Sequence, residues 1–548
     1  MSHPTTSPAG GDPAAVEPVL VVGNGPVGQT TSLLLARWGV PVVLLDGRDH
    51  RDPVGSKAIC QQRDVLDIWR AAGAGRRIAD EGTTWTTART FYRDRELFAT
   101  AYSDGGTSDL PPWVNISQCR TEEVLDECLA EQPLVDVRWG HEVVGLEQSD
   151  DGVAVTCRIG RDAEVVRVRG SHAVVCAGSR ASALRQQLGV SFDGHSFDDR
   201  FLICDIRADL GEWANERRFY FDPEWNRGRQ VLIHACPDST FRIDWQVPGD
   251  YDLDAEVASG ALDRRIRQII GDTDYEIVWK SVYRFHSRVV DRMRVGRVLI
   301  AGDAAHVVSP FGARGLNSGV GDAENAAWKI AFVRNGWADE ELLASYDDER
   351  HAAALENLAI TGATMRFLVP GNDEETRIRK DTLERAMRDE SACAAVDSGR
   401  LAEPFWYHRS PLTTPDPGRP FLGRPQKGRL PRPGPGILVP DIALGGTEGD
   451  RLRSHARQGV VLVVADDGIA DELAGLTEEF TAPVRVLSLA QADPAGDVRV
   501  VLGLGPEEVW VLRPDAYVAA VVPHRDLEAV RAAVRRALGQ RVGIPVQG

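Results

Sequence analysis

The sequence predicts a mixed α/β protein: a doubly wound parallel sheet, an antiparallel sheet inserted into it, and a smaller C-terminal α/β unit. Three observations carry that expectation. Val19-Leu20-Val21-Val22 runs directly into Gly23-Asn24-Gly25-Pro26-Val27-Gly28 and then a helical stretch. Between 201 and 285, segments rich in β-branched and aromatic residues are separated by Asp, Pro and Gly turns. Gly296-Arg297-Val298-Leu299-Ile300 then returns the chain to a buried strand that delivers Gly302-Asp303.

The first element has the context of a dinucleotide site. A strand, a glycine turn, the helix Gln29 to Trp38 and a second strand, Val40 to Leu45, lead to Asp46. Glycines permit the tight turn and close backbone approach to a pyrophosphate, and an acidic side chain about 20 residues on takes the ribose hydroxyls. The second block reads Gly302-Asp303-Ala304-Ala305-His306, then Ser309-Pro310-Phe311-Gly312-Ala313-Arg314-Gly315-Leu316-Asn317. Asp303 can bond a ribityl hydroxyl, and the glycine turn sets a helix N-terminus against developing negative charge.

With Gly55-Ser56-Lys57-Ala58 and Arg63, and Asn115-Ile116-Ser117-Gln118 and Glu122, these motifs resemble the FAD-dependent aromatic hydroxylases of the para-hydroxybenzoate hydroxylase type over roughly residues 18 to 410. The resemblance implies a Rossmann-like FAD-binding domain. Asp46 would hold the adenosine ribose, Gln118 and Asp303 the ribityl and pyrophosphate region, and the backbone at Leu316 and Asn317 the pyrimidine edge. Pro310 would lie beside the ring. The implied cofactor set is completed by Gly23, Gly25, Pro26, Val27, Gly28, Lys57, Arg63, Val143, Gly302 and Gly315. Two positions depart from the family pattern: Ala177-Gly178 stands where an Asp-Gly pair is usual, and Lys57 where arginine is usual. Lysine keeps the charge and loses the bidentate fork.

The expected order is a disordered tail over 1–17, FAD-binding segments over 18–190 and 291–410, and the inserted sheet over 191–290. Strands are expected at Phe201 to Asp209, Arg218 to Phe221, Arg229 to Cys236, Phe241 to Val247 and Tyr275 to Phe285, and helices at Val320 to Val333 and Leu342 to Ile360. Residues 411–440, dense in proline and glycine, read as a linker. Beyond it, over 441–548, strands at Val460 to Val464, Val484 to Leu487 and Glu508 to Val522 precede an amphipathic helix, Leu527 to Leu538. That unit resembles the thioredoxin-like C-terminal domain of some family members. Because the last cysteine is Cys393, dithiol chemistry is excluded there and a structural or homodimer-related role is expected.

A formal charge of −18 in 548 residues argues against nucleic acid or an anionic membrane as partner. No apolar run spans a bilayer, the N-terminus lacks the pattern of a signal peptide, and the eight cysteines form neither a disulfide framework nor a metal site, so a cytoplasmic location and no metal are expected.

The resemblance implies FAD, NADH or NADPH as reductant, dioxygen, and a flavin C4a-hydroperoxide that hydroxylates a phenolic or heteroaromatic ring. It names no catalytic side chain. Substrate candidates on the inserted sheet are Tyr220, Trp225, His234, Trp245 and Tyr283, since rings can sandwich an aromatic substrate and His or Tyr can bond a phenol. Each has a structural alternative as a half-buried strand residue, and His306 reads as a polar anchor behind the flavin. Two other functions stay open: tailoring or inactivation of a larger polycyclic compound, and a flavin-binding protein without turnover, for which Ala177 speaks.

Overall fold

A computed structural model describes residues 17–51, 58–101, 106–160, 164–426, 429–445 and 449–540. Apart from Glu17 the tail expectation lies outside them, as does Lys57. The strand Val19–Val22 is buried along its whole length, as its unbroken apolar run requires of a central parallel strand. It pairs in parallel with His172–Val175 on one side and Val42–Leu45 on the other. The full six-stranded order is Arg294–Val295, Val298–Ile300, His172–Val175, Val19–Val22, Val42–Leu45, Val135–Arg138. Only the first pair is antiparallel. Helix Pro26–Arg37 follows the glycine turn, with proline in its first turn, where a missing N–H costs nothing.

The second sheet has eight strands, in the order His306–Val307, Tyr275–Val290, Phe192–Ala208, Thr240–Val247, Gln230–Cys236, Glu216–Phe221, Thr87–Tyr92 and Arg95–Ala101. The last two come from the N-terminal part of the chain, and Thr87–Tyr92 joins in parallel to Glu216–Phe221. The strands His141–Ser149, Gly152–Ile159 and Glu164–Gly170 form a separate three-stranded antiparallel sheet. With the two-stranded pair of Cys60–Gln62 and Trp113–Asn115, the region before 188 therefore contributes to four sheets, where a single doubly wound sheet was expected. Side chains alternate between the two faces across the central strands of the eight-stranded sheet. Leu202, Cys204, Val231, Ile233, Ile243 and Trp245 bury one face beneath the helix Ala261–Ile270 through Leu262, Ile266 and Ile270. Their sequence neighbours point the other way.

Helices Arg314–Arg334 and Ala344–Leu368 pack beside the first sheet and extend beyond their expected ends. In the C-terminal unit, Val460–Val464 lies parallel to Val484–Ser488 and antiparallel to Glu508–Leu512, which forms a hairpin with Val518–Pro523. One strand was expected across 508–522. Pro514 cannot donate to a ladder and Ala516 sits at φ +62°, so the chain turns there. The stretch expected as a linker is strapped to that turn: Gly436 N–H donates to Val518 O at 2.7 Å, and Val439 N–H to Ala516 O at 3.0 Å.

Candidate active site

A cavity of about 840 Å³ lies between the ends of the first sheet's strands and the inward face of the eight-stranded sheet. Two helix N-termini open into it. At the first, Gly23 (φ +107°) and Gly28 close the turn: a Cβ on Gly28 would stand 1.9 Å from Gly23 O. A Cβ on Gly25 would meet no protein atom within 4 Å, so its face of the turn is clear. At the second, Ala313 takes φ +54° before helix Arg314–Arg334, and Gly315 is likewise clear for 4 Å. Unsatisfied helix N–H groups facing open space form an anion site. Two such cradles on one elongated cavity fit the pyrophosphate and the pyrimidine edge of an FAD.

Gly23, Gly25, Pro26 and Val27 line this cavity, as do Asp46, Gln118 and Val143, and on the other side Asp303, Pro310, Gly315 and Leu316. Asp46 ends its strand with both oxygens engaged. One accepts Asn24 N–H at 2.7 Å and Arg48 Nη2 at 2.9 Å; the other accepts Arg48 N–H and Nε. Burial pushes its pKa up, but the Arg48 and Asn24 hydrogen bonds outweigh burial and hold the carboxyl below its ordinary value. Gln118 donates to Glu122 at 2.7 Å and accepts from Ala58 N–H, tying its helix to the segment behind Lys57.

Four members of the expected set do not form the wall. Gly28 and Gly302 shape their turns from beneath, and a Cβ on Gly302 would meet Val27 at 2.9 Å. Arg63 donates to Leu110 O at 2.7 Å. Asn317 is buried, its amide bonding Gln62 N–H, Cys60 O and Ala313 O, so it fastens helix Arg314–Arg334 to the strand Cys60–Gln62. His306 is buried and bonds Asp322 at 2.7 Å behind the Gly302 turn.

The sheet face opposite is unusually polar for so enclosed a surface. Arg217, His234 and Arg242 stand side by side on three adjacent strands, in the pairs Arg217–His234 and His234–Arg242. Asp244 and Tyr283 share that face with the aromatic residues Phe201 and Phe285, and Phe311 joins them from the Pro310 turn, 5.3 Å from Phe201 between ring centres. Arg242 binds Asp205 in a bidentate pair at 2.7 and 2.9 Å. Burial, reinforced by Arg217 and Arg242, pushes the His234 imidazole well below its ordinary value. Burial raises the Asp244 carboxyl to about 7, against the pull of Arg242.

Of the aromatic candidates, then, only Tyr283 reaches the cavity, with His234. Trp245 follows Asp244 by one residue and so points to the opposite face, fully buried in the core. Tyr220 stacks on Phe91 at 4.5 Å and packs edge-on against Trp225, away from the cavity. Arg217, Arg242 and Asp244 were missed. The run Phe241-Arg242-Ile243-Asp244-Trp245-Gln246 carried the signal, polar residues at every second position of an otherwise apolar strand.

The family model described as FAD binding domain matches residues 17–361. A 3-(3-hydroxy-phenyl)propionate/3-hydroxycinnamic acid hydroxylase of Mycobacterium sp. (strain JLS) is 30% identical over 66% of this chain, and the match spans 62% of that enzyme's length. A putative polyketide hydroxylase of Streptomyces halstedii is 29% identical over 93% of this chain and 94% of its own. The crystal structure of the flavin-dependent monooxygenase PieE, in complex with FAD and substrate, superposes with a TM-score of 0.83 at 24% identity, covering 96% of this chain and 100% of that one. The last is a likeness of fold.

Proposed function

The chain belongs to the FAD binding domain family, among FAD-dependent aromatic and polyketide hydroxylases, and from that premise we propose that it is a monooxygenase using NADH or NADPH and dioxygen to hydroxylate a phenolic or heteroaromatic compound. One observation carries the reading: two glycine-cleared helix N-termini open onto the same cavity as a sheet face lined with rings and titratable groups. FAD, when bound, supplies the reduction and oxygen-activation chemistry. The chain's own residues bind and orient. The N–H groups at Gly25 and Gly315–Leu316 receive negative charge, while Asp46, Gln118 and Asp303 receive hydroxyls. Phe201, Phe285, Phe311 and Pro310 press apolar surface around the reacting ring and keep water from it.

No nucleophilic side chain is required. Among the described residues no group of three His, Cys, Asp or Glu is placed to hold a metal, and no helix is long and apolar enough to cross a membrane. The C-terminal βαβ unit, hairpin and closing helix support the thioredoxin-like reading, with a structural role because no cysteine follows Cys393.

A second reading, oxidation of a larger polycyclic compound, is favoured by the near full-length match to the polyketide hydroxylase. One experiment tests both. NADH and NADPH consumption by the purified yellow protein is followed with monocyclic phenols and with polycyclic polyphenols, beside hydrogen peroxide detection. Stimulated consumption with little peroxide identifies a coupled hydroxylase and its substrate class. No consumption under any condition overturns both readings in favour of a flavoprotein without turnover, with Ala177 as the first position to change to aspartate.

A further inference from the structure

Among the buried polar atoms of the inward sheet face that have no hydrogen-bond partner are His234 Nδ1 and Asp244 Oδ1. They belong to neighbouring strands, since His234 pairs with Arg242 and Leu232 with Asp244, so the two side chains are diagonal neighbours on one face. Both residues line the cavity. A buried polar atom without a partner is unfavourable, so two of them side by side on a cavity wall mark a place where an arriving polar group gains hydrogen bonds.

The surroundings decide what that group is. His234 stands in register between Arg217 and Arg242, and an imidazolium there would face two cations at strand-pair distance. It is therefore held neutral and is a poor proton acceptor. Asp244 has the other charge. The groups facing it are Arg242 on its own strand, Asp205 and His234 on the two strands beside it, Arg217 on the strand beyond His234, and Tyr283 on the strand beyond that of Asp205, opposite Phe201. Asp205 is committed to Arg242 through two hydrogen bonds, so Asp244 is left as the carboxyl available to a ligand. Ionised as pH rises through about 7, its oxygen accepts and cannot donate. Its complement is a hydroxyl.

Resting on the monooxygenase reading, we infer that Asp244 is the group that recognises a phenolic hydroxyl of the substrate and takes its proton, with neutral His234 as the adjoining polar contact. In that step the phenolic O–H bond breaks and an O–H bond forms on the Asp244 carboxylate. The electron pair stays on the phenolic oxygen, whose charge then lies on the same wall as Arg217 and Arg242, so the ring is made electron-rich without any oxidant or reductant. The raised carboxyl, near 7, is matched to accepting a proton near neutral pH. Asp244 thus touches substrate, and a substrate lacking a hydroxyl donor would leave it unsatisfied.

The test uses the holoprotein and binding, read from the perturbation of its flavin absorption, so that turnover is not needed. Phenol, resorcinol, 2-naphthol and 1,8-dihydroxynaphthalene are each paired with the corresponding methyl ether, from pH 5.5 to 9. The expected result is a preference for at least one free phenol over its ether of roughly tenfold or more, growing as pH rises through about 7. Asp244→Asn should reduce that preference about tenfold and flatten its pH dependence. Asp244→Glu should retain a pH-dependent preference. Should Asp244→Asn lose its flavin, the wild-type profile and Asp244→Glu decide. Absence of any pH-dependent phenol preference in wild type, or its survival unchanged in Asp244→Asn, overturns the assignment. Phenol discrimination that depends on Asp244 without stimulated NADH or NADPH consumption would sustain the assignment while overturning the monooxygenase reading.

Discussion

Asp322 receives the backbone N–H of Gly302 at 2.9 Å and His306 Nε2 at 2.7 Å on the same carboxylate oxygen, deep behind the cavity. Its other oxygen accepts Arg350 Nε at 2.7 Å, and Arg350 continues to Tyr407 and Ser318. Burial alone would raise this carboxyl, but His306 and Arg350 reverse the effect and keep it ionised. The turn that presents Asp303 is thus held by a charge as well as by the packing of Ala304 and Ala305.

Asp322→Asn should loosen that turn and leave Arg350 buried without its counter-ion, at about 3–5 kcal/mol. Flavin content after purification and the thermal midpoint should both fall. Unchanged values of the two would remove Asp322 from the account.

The two glycines of the first turn should behave differently. Gly28→Ala drives a methyl into Gly23 O, and backbone cannot yield as a side chain would, so the protein should be destabilised by about 1–3 kcal/mol or more. Gly25→Ala meets no protein atom. It should fold with an unaltered apoprotein midpoint and still purify colourless, because the methyl occupies the space of the pyrophosphate.

Asp303→Ala removes a side chain exposed on the cavity wall. Depletion of FAD is expected, since the carboxylate that would receive a ribityl hydroxyl is lost. A fully yellow variant with unchanged FAD affinity by fluorescence titration would show that the cofactor lies elsewhere.

Arg513 lies on the C-terminal hairpin, yet its guanidinium binds Glu349 at 2.5 and 3.0 Å and Asp515 at 2.6 Å, all fully buried. Glu349 also accepts Lys329 and Asn325, each at 2.7 Å. Arg513→Met should cost about 3–5 kcal/mol, because Asp515 loses its only ion-pair partner among the described residues and Glu349 keeps Lys329 alone as counter-ion. Limited proteolysis should then release the C-terminal unit sooner than in wild type.

What could be read from the sequence was local. Within Gly23 to Gly28, and again within the 302–317 block, the residues of the motif are close neighbours in the chain, and the turn chemistry that places them is written in the same stretch. What could not be read depends on register. Trp245 and Asp244 differ by one position, and one position in a strand exchanges core for cavity; no local feature of aromatic character distinguishes the two faces. Long-range joins were hidden for a similar reason, since nothing in residues 87–101 announces a pairing with Glu216–Phe221. Nor does the proline-rich look of 411–440 reveal that Gly436 and Val439 are bonded to a hairpin 80 residues further on.

The Arg513–Glu349 junction also bears on how such chains can be recombined. A crossover within 411–440 would deliver a foreign C-terminal unit to a seam that already holds Glu349, Lys329 and Asn325 in place. A graft bringing an apolar residue at the matching position would leave Glu349 without its guanidinium, and one bringing an acid would set two anions against each other. Exchange of the unit between lineages is therefore restricted to donors that carry the cation.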